Sequence, residues 1–150
     1  MQKPLKILVV RFSSIGDIVL TSPVVRCLKK QLGAEVHFIT KSAYICILQN
    51  NPHIDKIHTF NSSLQEVIKD IKNEKFDWII DLHHNFRSSQ LKRIGVKSKS
   101  FHKLNIKKFI FTKFGINLLP KLHIVDRYLH TISHLGVTND NLGLDYFLSN

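Results

Sequence analysis

Apolar and polar positions alternate in blocks along the chain, and the period within each block predicts an element. Leu5 to Arg11 is a short run rich in β-branched residues and reads as a buried strand. Asp17 to Leu32 carries Ile18, Val25, Leu28 and Leu32 roughly on one face, with Gly33 as a helical stop. Pro23 lies inside that segment. Either Ser22 caps a helix with Pro23 as its first residue, or Pro23 kinks a helix begun near Gly16. Glu35 to Thr40 alternates as a second strand. Ser42 is positioned to cap a short helix ending before Asn50-Asn51-Pro52, and Lys56 to Phe60 forms a third strand. Asn61-Ser62-Ser63 opens a helix over Leu64 to Asn73, burying Leu64, Val67, Ile68 and Ile71. Phe76 to Leu82 is apolar on both faces, which predicts a central strand.

The alternation continues more weakly. A loop at His83 to Ser89 leads into a helix near Ser88 to Ile94. Val96 to Phe101 is a candidate fifth strand. Helices are predicted over Ile106 to Phe114 and Ile124 to Leu135, closed by Gly115 and Gly136. A strand-like piece falls at Leu144 to Leu148. Strands that alternate with helices predict an α/β domain, a Rossmann-like open, mostly parallel sheet with helices on both faces. Ligands of such sheets bind where the strands' carboxyl ends meet a crevice. Ser13, Ser14 and Asp17 fall on that rim, after the first strand.

The first turn narrows the chemistry. A dinucleotide site needs G-x-G-x-x-G there, and a P-loop needs G-x-x-x-x-G-K-[ST]. This turn has only Gly16, and Asp17 at the helix start would repel a phosphate. It offers instead a carboxylate flanked by two hydroxyls, which can serve as a general base toward a sugar hydroxyl. The same residues, Ser14-Ile15-Gly16-Asp17, fit the [ST]-x-x-[DE] capping box, in which both side chains only cap a helix. Spacing leaves base and cap both open.

Length and charge add to this. The 150 residues suit one domain, and 43% hydrophobic content suffices for a core. No apolar run approaches the roughly 20 residues of a spanning helix. Met-Gln-Lys-Pro leads straight into a strand, without a signal-peptide pattern. Cys27 and Cys46 form no Cys-x-x-Cys pair, and a reduced cytoplasmic compartment is the expectation. The formal net charge is +11, and no acidic residue falls between Asp81 and Asp126, where ten Lys and Arg residues do. Such a block favours anionic partners, or simply a solvated surface.

Three segments resemble those of one family. Ile7-Leu-Val-Val-Arg-Phe-Ser-Ser-Ile-Gly-Asp-Ile-Val-Leu-Thr-Ser-Pro23 resembles the opening of glycosyltransferase family 9, the ADP-heptose:lipopolysaccharide heptosyltransferases. Phe76-Asp-Trp-Ile-Ile-Asp-Leu-His-His-Asn-Phe-Arg-Ser-Ser89 is similar to the family's fourth strand and following loop, usually Asp-x-Gln-Gly-x-x-[Lys/Arg]-Ser. His123-Ile-Val-Asp-Arg-Tyr128 is similar to its His-x-[Val]-[Asp/Glu]-Arg segment. The resemblance implies the N-terminal, acceptor-binding lobe of a two-lobed GT-B enzyme. The donor, an ADP-heptose-like nucleotide sugar, would bind a second lobe outside residues 1–150. The isolated lobe would then be inactive.

On that resemblance Asp17 matches the catalytic base, and Ser13, Ser14 and Gly16 shape the turn that presents it. Asn85, Arg87 and Ser88 line the next rim loop, where Arg87 can hold an acceptor carboxylate or phosphate by a bidentate contact. The implied acceptor is a phosphorylated, lipid-linked saccharide met at the inner face of the inner membrane. No metal or other cofactor is implied. Two departures stand out: Phe60-Asn61-Ser62-Ser63 replaces a basic run that family members often carry, and His83-His84-Asn85 replaces Gln-Gly.

Other groupings compete. Leu104 to Gly115 is basic and aromatic; Lys107 and Lys108 are expected to reach acceptor phosphates or an anionic membrane face. Asp126, His130 and His134 recur every four residues, a spacing that can gather a metal, but no further ligand follows. The alternative function is a basic nucleic-acid-binding module, which the charge block supports. It lacks an RNP-like aromatic pair and a helix-turn-helix, so no specific nucleic acid is expected.

Overall fold

The computed structural model describes residues 2–102 and 123–149. The predicted helix over 106–114, with Lys107 and Lys108, lies outside the described residues. Five strands form one sheet: β1 (Lys6–Val10), β2 (Glu35–Lys41), β3 (Lys56–Phe60), β4 (Trp78–Asp81) and β5 (Lys97–Ser100). Their order is β3-β2-β1-β4-β5, and every neighbouring pair is parallel. This is a Rossmann-like α/β sheet. β1 is its centre. β4 is interior, flanked by β1 and β5, rather than central, although both were apolar enough to be.

Parallel strands need crossovers, and these cover both faces. On one face Ile7, Val9, Val36, Phe38 and Ile80 meet α2 (Ser22–Leu32), the short α3 (Ile45–Leu48) and α6 (Ile124–Thr131) through Val24, Leu28, Leu48 and Leu129. On the other, Leu8, Val10, Ile39 and Ile79 meet Leu64, Val67 and Ile71 before and within α4 (Ile68–Glu74). Ile7, Leu8, Val9 and Val10 have no exposed surface, and each such side chain is worth about 1.5–3 kcal/mol of burial. β1 is therefore what both layers are built against.

Pro23 resolves as a boundary. α1 (Ile15–Val19) ends at Leu20, and α2 begins anew with Thr21 as N-cap and Pro23 in its first turn. Proline lacks an N–H, and the first turn is where none is missed. Ser42 does not cap the next helix. It starts a 3-10 turn, Ser42–Tyr44, that leads into α3. The segment after β3 likewise starts as a 3-10 turn, Leu64–Glu66, before α4. The loop after β4 turns into α5 (Phe86–Ser89), two residues earlier than expected, followed by a 3-10 stretch to Ile94. Gly33 and Gly136 end their helices with positive φ, as their positions predicted.

The strand-like piece at 144–148 is not a strand: residues 137–149 have no regular structure. Side chains hold this tail instead. Arg26 on α2, 2% exposed, donates two bonds to Asp140 at 2.8 and 2.7 Å, one to Asp145 at 2.6 Å and one to the Gly143 carbonyl at 2.8 Å. Ser22 Oγ accepts from the Asp145 N–H at 2.8 Å. A tail fixed by one buried guanidinium needs no sheet partner, which is why alternation misled.

Candidate active site

The strand order reverses between β1 and β4, and ligands of open parallel sheets bind at that switch point. The loops that leave β1 and β4 meet there. Between them lies an open cleft of about 430 Å³, lined by Phe12, Ser13, Lys41, His83, Asn85, Phe86 and Arg87. Two loops that the sequence separates by some seventy residues thus form one site.

Asp17 stands on α1 just beyond Ser13. One of its oxygens, Oδ2, accepts from Ser14 Oγ at 2.7 Å, from the Ser14 N–H at 3.4 Å, and from Arg11 Nη2 at 3.0 Å. Ser14 and Asp17 form the capping box. The second oxygen, Oδ1, has no partner among the described residues, and the side chain is 39% exposed. The carboxylate is both a cap and an open acceptor, one role on each oxygen. Burial pushes its pKa up, but the Ser14 hydroxyl, the Arg11 charge and the Ser14 amide outweigh that and hold it below the usual carboxylate range. It is ionised at neutral pH.

Arg11 fixes this arrangement. It leaves the end of β1 and donates Nε to the Ser13 carbonyl at 2.6 Å and Nη1 to the Leu82 carbonyl at 3.0 Å. One guanidinium therefore ties the β1 loop, the β4 loop and Asp17 together. The signal for it was faint: a cation closing an apolar strand, immediately before the polar turn.

The second loop has its own organiser. Asp81, 1% exposed at the end of β4, accepts from the His83 and His84 N–H groups at 3.0 and 2.8 Å and from Ser88 Oγ at 2.7 Å. Asn85 caps α5 by accepting from the Ser88 N–H at 2.8 Å, and Ser88 Oγ accepts from the Asn85 N–H at 2.9 Å. Ser88 is 1% exposed. Its hydroxyl is spent on Asp81 and the cap, so it holds the loop rather than facing the cleft. Asn85 and Arg87 do line the cleft, together with Ser13. Ser14 faces Asp17. Gly16 adopts no positive φ, and a Cβ there would meet nothing within 4 Å. The fold does not require glycine at 16; its absence of a side chain leaves the surface beside Asp17 clear. Sequence reasoning passed over Asp81, although a carboxylate closing an apolar strand before a polar loop was visible.

His84 explains one departure from the family pattern. It has φ of +50° and stands where the pattern has glycine. The left-handed backbone belongs to the loop, and glycine reaches it without cost. Here a histidine does so, with Nδ1 2.6 Å from the Phe101 carbonyl.

At the opposite end of the sheet, ligand atoms of His37, His58 and Glu74 lie within 4.8 Å of one another. That network is closed. His37 Nδ1 and His58 Nε2 are 2.9 Å apart, His37 Nε2 is 2.9 Å from Glu35, and Glu74 accepts from Lys6 and Lys56 at 2.5 Å each. Two lysines on the carboxylate oppose a further cation, so it carries no case for a metal. Asp126 bonds Asn139 at 3.3 Å rather than a histidine.

No family model matches the chain. Among curated proteins it is 24% identical over 142 residues to lipopolysaccharide heptosyltransferase 1 of Campylobacter coli, covering 87% of the chain and 42% of that protein. Among solved structures it superposes on a family 9 glycosyl transferase of Veillonella parvula with a TM-score of 0.77 and 25% identity, over 100% of this chain and 47% of that one. It also superposes on the E. coli heptosyltransferase WaaC with ADP, with a TM-score of 0.68 and 15% identity, over 94% and 50%. The sheet order defines a Rossmann-like lobe, and the superpositions liken it to one lobe of GT-B glycosyltransferases. The chain is similar to the heptosyltransferases of glycosyltransferase family 9. It spans about half the length, or less, of these relatives.

Proposed function

We propose that this domain is the acceptor-binding lobe of an inverting glycosyltransferase, which transfers a heptose or related sugar from a nucleotide sugar to a lipopolysaccharide core acceptor. The observation that carries the reading is the divided carboxylate of Asp17: Oδ2 is anchored by three donors, and Oδ1 is unbonded on a part-exposed side chain of the loop whose Ser13 lines the cleft. A general base must be ionised, oriented and reachable, and Asp17 is all three. In the reaction Oδ1 takes the proton of the acceptor hydroxyl. The freed oxygen pair forms the new bond to the anomeric carbon from the face opposite the leaving group. The bond from that carbon to phosphate breaks, its electron pair leaves with the nucleoside diphosphate, and configuration inverts.

The low pKa keeps Asp17 ionised at some cost in basicity. Binding of the acceptor excludes water from Oδ1 and raises its proton affinity where the proton moves. The cleft's cations, Lys41 and Arg87, suit a phosphorylated acceptor. The donor binds a second lobe, outside residues 1–150. The relatives include WaaC crystallised with ADP, which favours an adenine-linked donor. Work on a lipid-linked acceptor places the enzyme at the cytoplasmic face of a membrane, as a peripheral visitor; no described helix is long and apolar enough to cross one.

The test uses the enzyme with both lobes. Asp17→Asn is expected to lower kcat by about 10²–10⁴-fold, with acceptor KM changed little. Transfer near the parent rate would remove Asp17 from the mechanism.

A further inference from the structure

The cleft holds two residues that no motif specifies: Lys41 lies outside the three segments, and Phe86 falls on an unspecified position of the second. Lys41 is the last residue of β2, placed by a bond from its N–H to the Phe12 carbonyl at 3.3 Å. Phe86 opens α5 and is 81% exposed. A single exposed aromatic ring is ordinary on a protein surface. This one lines a cleft together with two cations, and neither Lys41 nor Arg87 makes an ion pair among the described residues. Lys6, Arg11, Arg26, Lys29 and Lys56 each make at least one.

We propose that Lys41 and Phe86 select the acceptor: Phe86 stacks against the C–H face of its sugar ring, and Lys41 opposes Arg87 across an anionic substituent on that sugar. This rests on reading the cleft as the acceptor site. The geometry gives the cleft a direction. Ser13 lines the cleft, and the charge of Asp17, on the helix that follows Ser13, disfavours an anion near that loop. Lys41, from β2, and Arg87, from α5, attract it elsewhere in the same cleft. A sugar with one negative group is thereby turned so that a hydroxyl, not the anion, meets Oδ1. Arg87 supplies planar, bidentate recognition and Lys41 a point charge, a pairing that accepts a carboxylate or a phosphate. The ring of Phe86 supplies contact area at small entropic cost, which a neutral sugar and an anionic one share equally.

The chain is titrated with three probes and followed by amide NMR: a methyl hexoside, a hexuronate and a hexose 6-phosphate. Both anionic probes are expected to bind tighter than the neutral one, and their ranking identifies the anion. Lys41→Ala weakens both anionic probes about tenfold and leaves the methyl hexoside unchanged. Phe86→Ala weakens all three, and Phe86→Tyr restores them. If the probes shift Ser13 and Asn85 yet bind Lys41→Ala and Phe86→Ala as tightly as the parent, the selection proposal fails and the acceptor cleft stands. If no probe shifts any cleft residue, both fall.

Discussion

The two ends of the parallel sheet hold polar clusters of similar size and opposite character. At the amino-terminal end, Lys6, Glu35, His37, Lys56, His58 and Glu74 satisfy one another, with Phe76 packed edge-on against both imidazoles. At the carboxyl-terminal end, Arg11 pairs with Asp17 through Oδ2 alone, and Lys41 and Arg87 line an open cleft without an ion pair among the described residues. Charge alone does not mark a site. Polar groups that complete one another's bonds hold the fold, and those held on one side only are available to a ligand.

Exchanging one carboxylate at each end breaks this comparison most sharply. Glu74→Gln is expected to destabilise the domain by about 1–3 kcal/mol, read by chemical denaturation, while cleft ligands bind as before. Asp17→Asn is expected to change stability less and, in the two-lobed enzyme, to lower kcat while the acceptor still binds. Equal stability losses would mean that both clusters are structural.

The pH response separates the ends further. The hydrogen bonds from Lys56 and Lys6 lower Glu74 to about 2, against desolvation. A depressed carboxylate contributes stability that is present above its ordinary pKa and lost as pH falls through the folded one. The parent should therefore lose stability from about pH 4.5 down toward 2 more steeply than Glu74→Gln does. Parallel acid limbs would deny Glu74 that role.

Smaller effects sharpen the open end. Gly16→Ala should stabilise α1 by about 0.5–1 kcal/mol, since no steric or φ constraint opposes it. The same methyl group beside Asp17 should weaken cleft ligands. A gain in melting temperature with unchanged ligand binding would put Gly16 outside the site. His84→Ala keeps the left-handed backbone and loses the bond to Phe101, costing about 1 kcal/mol. His84→Gly loses the bond but relieves the backbone, and should change stability by less than about 0.5 kcal/mol. The reverse order would mean that backbone strain at position 84 is smaller than the unfolded-state entropy that glycine adds.

The sheet was legible because β-branched runs and helical periods are local signals, as at Ile7–Val10 and Lys56–Phe60. The Asp17 turn was legible for the same reason. What escaped depends on contacts distant in sequence. Arg11 is one residue of a strand until Leu82 and Asp17 are brought to it. Lys41 enters the cleft only because β2 lies beside β1. Ser88 lies on the rim loop as expected, but its bond to the buried Asp81 is not readable from the Asn-x-x-Ser spacing. The tail was misread because alternation at Leu144 to Leu148 marks a strand only where a sheet edge awaits it.

The divided carboxylate has a consequence for its nearest isostere. In Asp17→Asn the three donors around Oδ2 admit only an oxygen, so the amide must present its NH₂ where Oδ1 stood. The substitution does not delete a proton acceptor. It reverses the polarity of the group that meets the sugar hydroxyl: the hydroxyl's oxygen would be bound by a donor and its proton left in place. Such a variant is a grip without a base, suited to holding an acceptor still.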